Sequence, residues 1–162
     1  VMGIDPSYPL AFAKAMLAAG IDLPTSGKVL VSVNDPDKPR VVSIARDLRE
    51  LGFELVSTIG THKMLAEHGI ESTIVSKSGD VGHPFLLDMI LQKKLDLLIN
   101  TPIHTGSASD EGRWRAASLR VGIPLITTLA GARAAVGAIE AMKTNEMKVA
   151  ALQDYLADGR AS

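Results

Sequence analysis

Hydrophobic positions along this chain alternate between two spacings. Short apolar runs, several of them β-branched, occupy 28–33, 53–58, 73–76, 95–99 and 124–127, the pattern of strands buried on both faces. Between them the interval lengthens to three and four. Val41, Ile44, Ala45, Leu48 and Leu51 share one face, while Arg46, Asp47, Arg49 and Glu50 fall around the other, which predicts an amphipathic helix. Further helices are predicted at 62–68, 84–93, 111–121 and 129–142. Strand and helix alternating five times predict an α/β fold with a doubly wound parallel sheet, because right-handed crossover helices must cover both faces.

Two segments lie outside this alternation. Residues 8–19 form an alanine-rich helical stretch with Pro9 near its start and Gly20 at its end, both in their preferred places. Residues 22–27 then read as a linker, from their Pro, Ser and Gly. In the tail, Val149, Leu152, Tyr155 and Leu156 suit a helix, and 148–152 also suits a strand.

Composition narrows the function. Apolar residues are 46% of the 162 but aromatics only 4%, so the core must be aliphatic. Lysine plus arginine (17) nearly balances aspartate plus glutamate (18), and no long basic run exists to neutralise a phosphate backbone, which argues against nucleic acid. The absence of cysteine excludes disulfides, thiolate metal sites and a cysteine nucleophile. The apolar stretch at 10–21 is short, is interrupted by Lys14 and has no basic leader, so neither a membrane span nor a signal peptide is expected. Cytoplasm is the default compartment.

Candidate chemistry gathers after the strands, where open α/β sheets bind their ligands. The Thr58-Ile59-Gly60-Thr61 turn combines two hydroxyls with a glycine, and Thr61 is expected at a helix N-cap. Such an end suits phosphate or carboxylate. Lys38 is expected in the loop before the helix opened by Pro39, where a cation opposes the helix dipole unless an anion joins it. Lys77 lies in the third such loop and Asn100 ends the fourth strand; the Asn100 amide serves either a ligand or its own loop. His62 and His68 lack i, i+4 spacing, and His83 and His104 are isolated, so no metal site is expected. Ser107 and Ser109 lack a nucleophile-elbow context. Trp114, between Arg113 and Arg115, is either a stacking surface or a packing residue.

Leu30-Val31-Ser32-Val33 followed by Asp37-Lys38, then Gly52-Phe53-Glu54-Leu55 and Thr58-Ile59-Gly60-Thr61, resembles the methylglyoxal-synthase-like superfamily. Lys77, Ile99-Asn100-Thr101, Thr127-Thr128 and the lead-in Val1-Met2-Gly3 with 11–15 extend the likeness to the allosteric domains of carbamoyl-phosphate synthetase large chains. The resemblance implies a five-stranded parallel sheet in order 3-2-1-4-5. It implies residues 1–27 as helix and linker from a preceding synthetase unit, expected to pack loosely, and 28–162 as the regulatory domain. It implies no catalytic residue in this segment and a nucleoside monophosphate effector, uridylate (UMP) or inosinate (IMP), held by Ser32, Lys38, Thr58, Thr61, Lys77, Asn100 and Thr101. Thr127 matches a threonine that contacts ornithine in relatives.

The implied partners are the rest of the large chain and a small glutaminase chain, and relatives use this domain in homo-oligomer contacts. ATP, magnesium and potassium would belong to the parent ligase, which serves pyrimidine and arginine biosynthesis. One departure is Pro102, where some relatives carry a second threonine; it removes a hydroxyl and a backbone donor. The rival reading is a methylglyoxal synthase-type lyase acting on dihydroxyacetone phosphate, whose catalytic aspartate aligns with His83, three residues from Asp80. The inosine monophosphate cyclohydrolase domain shares the early motifs only.

Overall fold

A computed structural model describes residues 1–77, 82–101 and 110–158. Strands β1 (Lys28–Ser32), β2 (Glu54–Thr58), β3 (Thr73–Val75), β4 (Leu97–Asn100) and β5 (Leu125–Ile126) form one parallel sheet in the order β3-β2-β1-β4-β5. The chain winds outward from β1 to β3 and then crosses to β4, so the topological switch falls between β1 and β4. Helices α1 (Tyr8–Ala18), α2 (Lys38–Glu50), α3 (Ile59–Glu67), α4 (Leu86–Leu91), α5 (Asp110–Val121), α6 (Leu129–Thr144) and α7 (Leu152–Asp158) complete the described elements.

Strand alternation sorts the core into two layers. Val29, Val31, Leu55, Leu97 and Ile99 pack with Val41, Ile44 and Leu48 of α2, Leu65 of α3 and Ala132, Ala135 and Ile139 of α6. Leu30, Val56, Val75 and Leu98 point the other way, onto Leu86 and Ile90 of α4 and Trp114 and Ala117 of α5. Trp114 is therefore a packing residue, buried in the second layer. Burying each such large side chain contributes about 1.5 to 3 kcal/mol.

Boundaries differ from expectation where a local interaction intervenes. Pro84 and Phe85 do not open a helix. Instead, Ser76 N–H donates to the Pro84 carbonyl at 2.9 Å, and Leu86 N–H donates to the Ser76 carbonyl at 3.0 Å. This extra pairing prolongs the β3 edge and delays α4 to Leu86. In the tail, the helix at Leu152–Asp158 is the alternative that forms.

The N-terminal helix packs more closely than a loosely tethered one. Its Leu10 and Ala13 are buried, and Ala13 and Leu23 share the first core layer with α6 residues. Gly3 crosses α1 so tightly that a Cβ there would stand 2.0 Å from the Ala11 carbonyl oxygen. Lys14 ties the region together, donating to Asp5 Oδ2 at 2.7 Å and to the Tyr155 hydroxyl of α7 at 3.1 Å. Tyr8 and Leu17 on its outer side remain exposed.

Candidate functional site

The carboxyl ends of β1, β2 and β3 open into a cleft of about 320 Å³ lined by Val33, Asp35, Lys38, Thr58 to Thr61, Val75, Ser76 and Lys77. A wider groove of about 670 Å³ runs past the amino ends of β2 and β3, lined by residues such as Arg49, Glu54, His62 and Thr73. It holds none of the sequence-predicted site residues, whereas the smaller cleft gathers four of them: Lys38, Thr58, Thr61 and Lys77. The remaining three form a buried row beside it. The Ser32 and Thr58 hydroxyls lie 3.1 Å apart, and Asn100 Nδ2 donates to the Ser32 carbonyl at 3.0 Å. Thr101 Oγ1 accepts from Asn34 N–H at 3.1 Å. The sheet register makes this row, since Ser32 pairs with Asn100 and Thr58 with Val75.

Two local expectations are corrected. Thr61 is not an N-cap: Thr58 occupies that position, with no side-chain cap bond, and α3 already begins at Ile59. Thr61 is instead buried in the first turn, where its Oγ1 accepts from Val33 N–H at 3.3 Å. Nor does Pro39 exclude Lys38 from helical geometry. A 3-10 turn, Asp35–Asp37, feeds directly into α2, and Lys38 adopts φ −54°, ψ −46° as its first residue. The Asn34 side chain accepts from Asp37 N–H at 2.9 Å and fixes this turn, which outweighs the pre-proline preference.

The cleft carries two cations beside an uncapped helix start. The first-turn N–H groups of α3 point along the positive end of the helix dipole with no side-chain cap. Gly60 serves by close approach and not by an unusual φ, since a Cβ there would stand 2.8 Å from Lys38 Nζ. Lys38 Nζ meets Asp35 Oδ1 at 2.5 Å. Lys77 Nζ lies 3.7 Å from Glu111 Oε1 and 5.4 Å from the centre of the Trp114 ring. The hydrogen bond and charge of Lys38, aided by the charge of Lys77, hold the Asp35 carboxyl below its ordinary pKa. Asn100 Oδ1 is buried without a hydrogen-bond partner, a vacant acceptor beside the Ser32 carbonyl to which its own Nδ2 donates.

Glu111 and Asp35 were not singled out from sequence. Asp35 had a signal, being a carboxylate three residues from Lys38; Glu111 had none, since α5 brings it to Lys77 only in the folded chain. Thr127 is exposed beyond β5 and is not part of the cleft. His83 is exposed. Asp80, Pro102, His104, Ser107 and Ser109 lie outside the described residues. Among those described, no three His, Asp or Glu side chains stand close enough to hold a metal ion, and no helix is long and apolar enough to cross a membrane.

Comparison with known proteins places this architecture. The profile of the "MGS-like domain" matches residues 40–127, just over half of the chain. The chain belongs to the MGS-like domain family. This MGS-like domain is 47% identical over 156 residues, 96% of its length, to a carbamoyl phosphate synthase large chain of Myxococcus xanthus. It is 46% identical over 155 residues to the carbamoyl phosphate synthase large chain, C-terminal section, of Methanopyrus kandleri. It spans 14% and 28% of those two chains, and so corresponds to the C-terminal MGS-like domain of such a large chain. The crystal structure of methylglyoxal synthase from Elizabethkingia anophelis matches with a TM-score of 0.56 over 83% of this chain and 92% of that one. At 19% identity, that likeness concerns the fold.

Proposed function

We propose that this MGS-like domain regulates a carbamoyl-phosphate synthetase large chain by binding the phosphate of a nucleoside monophosphate in the cleft after β1, β2 and β3. The observation that carries the reading is a convergence. Lysines from two separate elements, Lys38 and Lys77, meet two threonine hydroxyls and the uncapped start of α3 in one small space. An ordinary helix start needs no lysine beside it, and the dipole disfavours one there. A phosphate would collect charge-assisted hydrogen bonds from both ammonium groups and from backbone N–H groups. The unpartnered acceptor of Asn100 suits a ribose hydroxyl in the adjoining row with Ser32, and Thr101 holds the loop beside it. Uridylate and inosinate share this phosphate and sugar chemistry.

A lyase would need a carboxylate base within reach of its substrate. The carboxylate lining the described cleft, Asp35, is bound to Lys38 and its pKa is lowered, which makes it a weak base. Binding without catalysis accounts better for the cleft. Thr127, exposed just beyond β5, is placed to meet ornithine at a junction with the remainder of the large chain. That remainder and a small glutaminase chain are the proposed partners, and ATP, magnesium and potassium would be handled there.

Calorimetric titration with uridylate, inosinate, ornithine and inorganic phosphate tests the reading. Saturable binding of at least one nucleotide, competed by phosphate, is expected. Absence of nucleotide and phosphate binding would defeat it.

A further inference from the structure

Both cleft lysines already have carboxylate partners, and the two partners differ in kind. Glu111 faces Lys77 from within α5 and is only 8% exposed, so it has little room to swing away. Asp35 faces Lys38 from a three-residue turn, and its side chain is 84% exposed while that of Lys38 is only 20% exposed. The turn owes its shape to Asn34 Oδ1 accepting from Asp37 N–H, not to the Asp35 carboxylate. Asp35 can therefore leave Lys38 without breaking the turn. It also lines the cleft, on the ammonium that touches the space above Gly60. The most accessible anion on Lys38 thus comes from the protein itself.

We propose that Asp35 is a built-in counter-anion that an incoming phosphate displaces from Lys38, so that this residue sets the affinity of the cleft for phosphorylated ligands. The inference rests on the reading of the cleft given above and goes further by naming the group that opposes binding. A phosphate oxygen and a carboxylate oxygen placed on the same ammonium repel each other. An ammonium has three donors and can hold both, but the repulsion favours the exposed Asp35 arm giving way. Because Lys38 and Lys77 both hold the Asp35 carboxyl below its ordinary pKa, it stays ionised at neutral pH and cannot yield by taking up a proton. In the unliganded domain the competitor also neutralises Lys38, which would otherwise be a poorly exposed cation beside the positive end of α3.

Asp35→Asn keeps the shape of the side chain and removes its charge. Asp37→Asn is the matched control, because that carboxylate lies on the same turn but stands 4.0 Å from Arg40 instead. Titration of both variants with uridylate and with inorganic phosphate reads the effect. Asp35→Asn should bind each ligand about three- to tenfold more tightly, and Asp37→Asn should change affinity by less than about twofold. Weaker or unchanged binding by Asp35→Asn, with the unmodified domain binding normally, would overturn this inference and leave the cleft assignment standing. Equal gains in both variants would also overturn it, since net charge alone would then account for them. If the unmodified domain bound neither ligand, the cleft assignment itself would fall, and this inference with it.

Discussion

Replacing Thr61 by valine separates a structural role from a binding role at one atom. The Thr61 hydroxyl is the side-chain acceptor for Val33 N–H, and both residues are buried, at 1% and 7% exposure. Valine keeps the volume and cannot accept that hydrogen bond. A buried donor left unsatisfied costs about 1 to 3 kcal/mol. The bond is 3.3 Å long, just beyond the usual range, so the lower half of that range applies, about 1 to 2 kcal/mol. For a chain of this size that corresponds to a fall of about 2 to 8 °C in Tm. Urea unfolding should show a lower midpoint with an unchanged m value, the mark of lost stability in an unaltered fold. The same variant should bind uridylate about tenfold more weakly, because one cleft hydroxyl is gone. Thr61→Ser retains the acceptor and should recover most of the affinity. A Thr61→Val protein as stable as the parent would show that Val33 N–H has no need of this hydroxyl.

Lys77→Ala should weaken nucleotide binding by about ten- to a hundredfold. Its stability should fall by less than about 1 kcal/mol, since the Lys77 contacts with Glu111 and Trp114 are made by a side chain that is 40% exposed; unchanged affinity in a titration would place the phosphate elsewhere. The Asp5–Lys14 pair predicts a pH dependence of stability. The Lys14 ammonium and Ser7 N–H lower the Asp5 pKa below its ordinary 3.8, while the Asp5 carboxylate and the Tyr155 hydroxyl raise that of Lys14 above 10.5. The Asp5 contribution is therefore complete above pH 3.8 and lost as pH falls through its lowered folded value; the Lys14 contribution is complete below pH 10.5 and lost as pH rises through its raised one. Urea midpoints of the parent and Asp5→Asn should differ at neutral pH and converge at both extremes, and parallel curves would contradict the assignment.

The sheet was legible in the sequence because each strand is a compact apolar run whose neighbours repeat at helical spacing, and the resemblance supplied the strand order. Helix starts were less legible. The α3 start was placed late because Thr61 has the chemistry of a cap, yet the fold uses it to satisfy Val33 N–H just beyond the end of β1. The α4 start was placed early because Pro84 suits a first helical turn, while the pairing of Ser76 with Pro84 and Leu86 depends on tertiary placement. Lys38 shows local preference yielding to a neighbour, since the Asn34-capped turn imposes helical geometry before a proline. Lys38, Thr58, Thr61 and Lys77 could be named in advance because each lies at or after the carboxyl end of a strand. Their counter-charges were harder to see. Glu111 reaches Lys77 from a helix 34 positions along the chain, and no spacing rule links the two.

A crystal structure of the domain with uridylate would show directly whether the phosphate occupies this cleft. The phosphate is expected against the first turn of α3, within hydrogen-bond distance of the Thr58 and Thr61 hydroxyls and between Lys38 and Lys77, with the Asp35 carboxylate moved off Lys38. Nucleotide seated in the wide groove between Arg49 and Thr73, or a cleft empty at saturating uridylate with Asp35 still on Lys38, would contradict it.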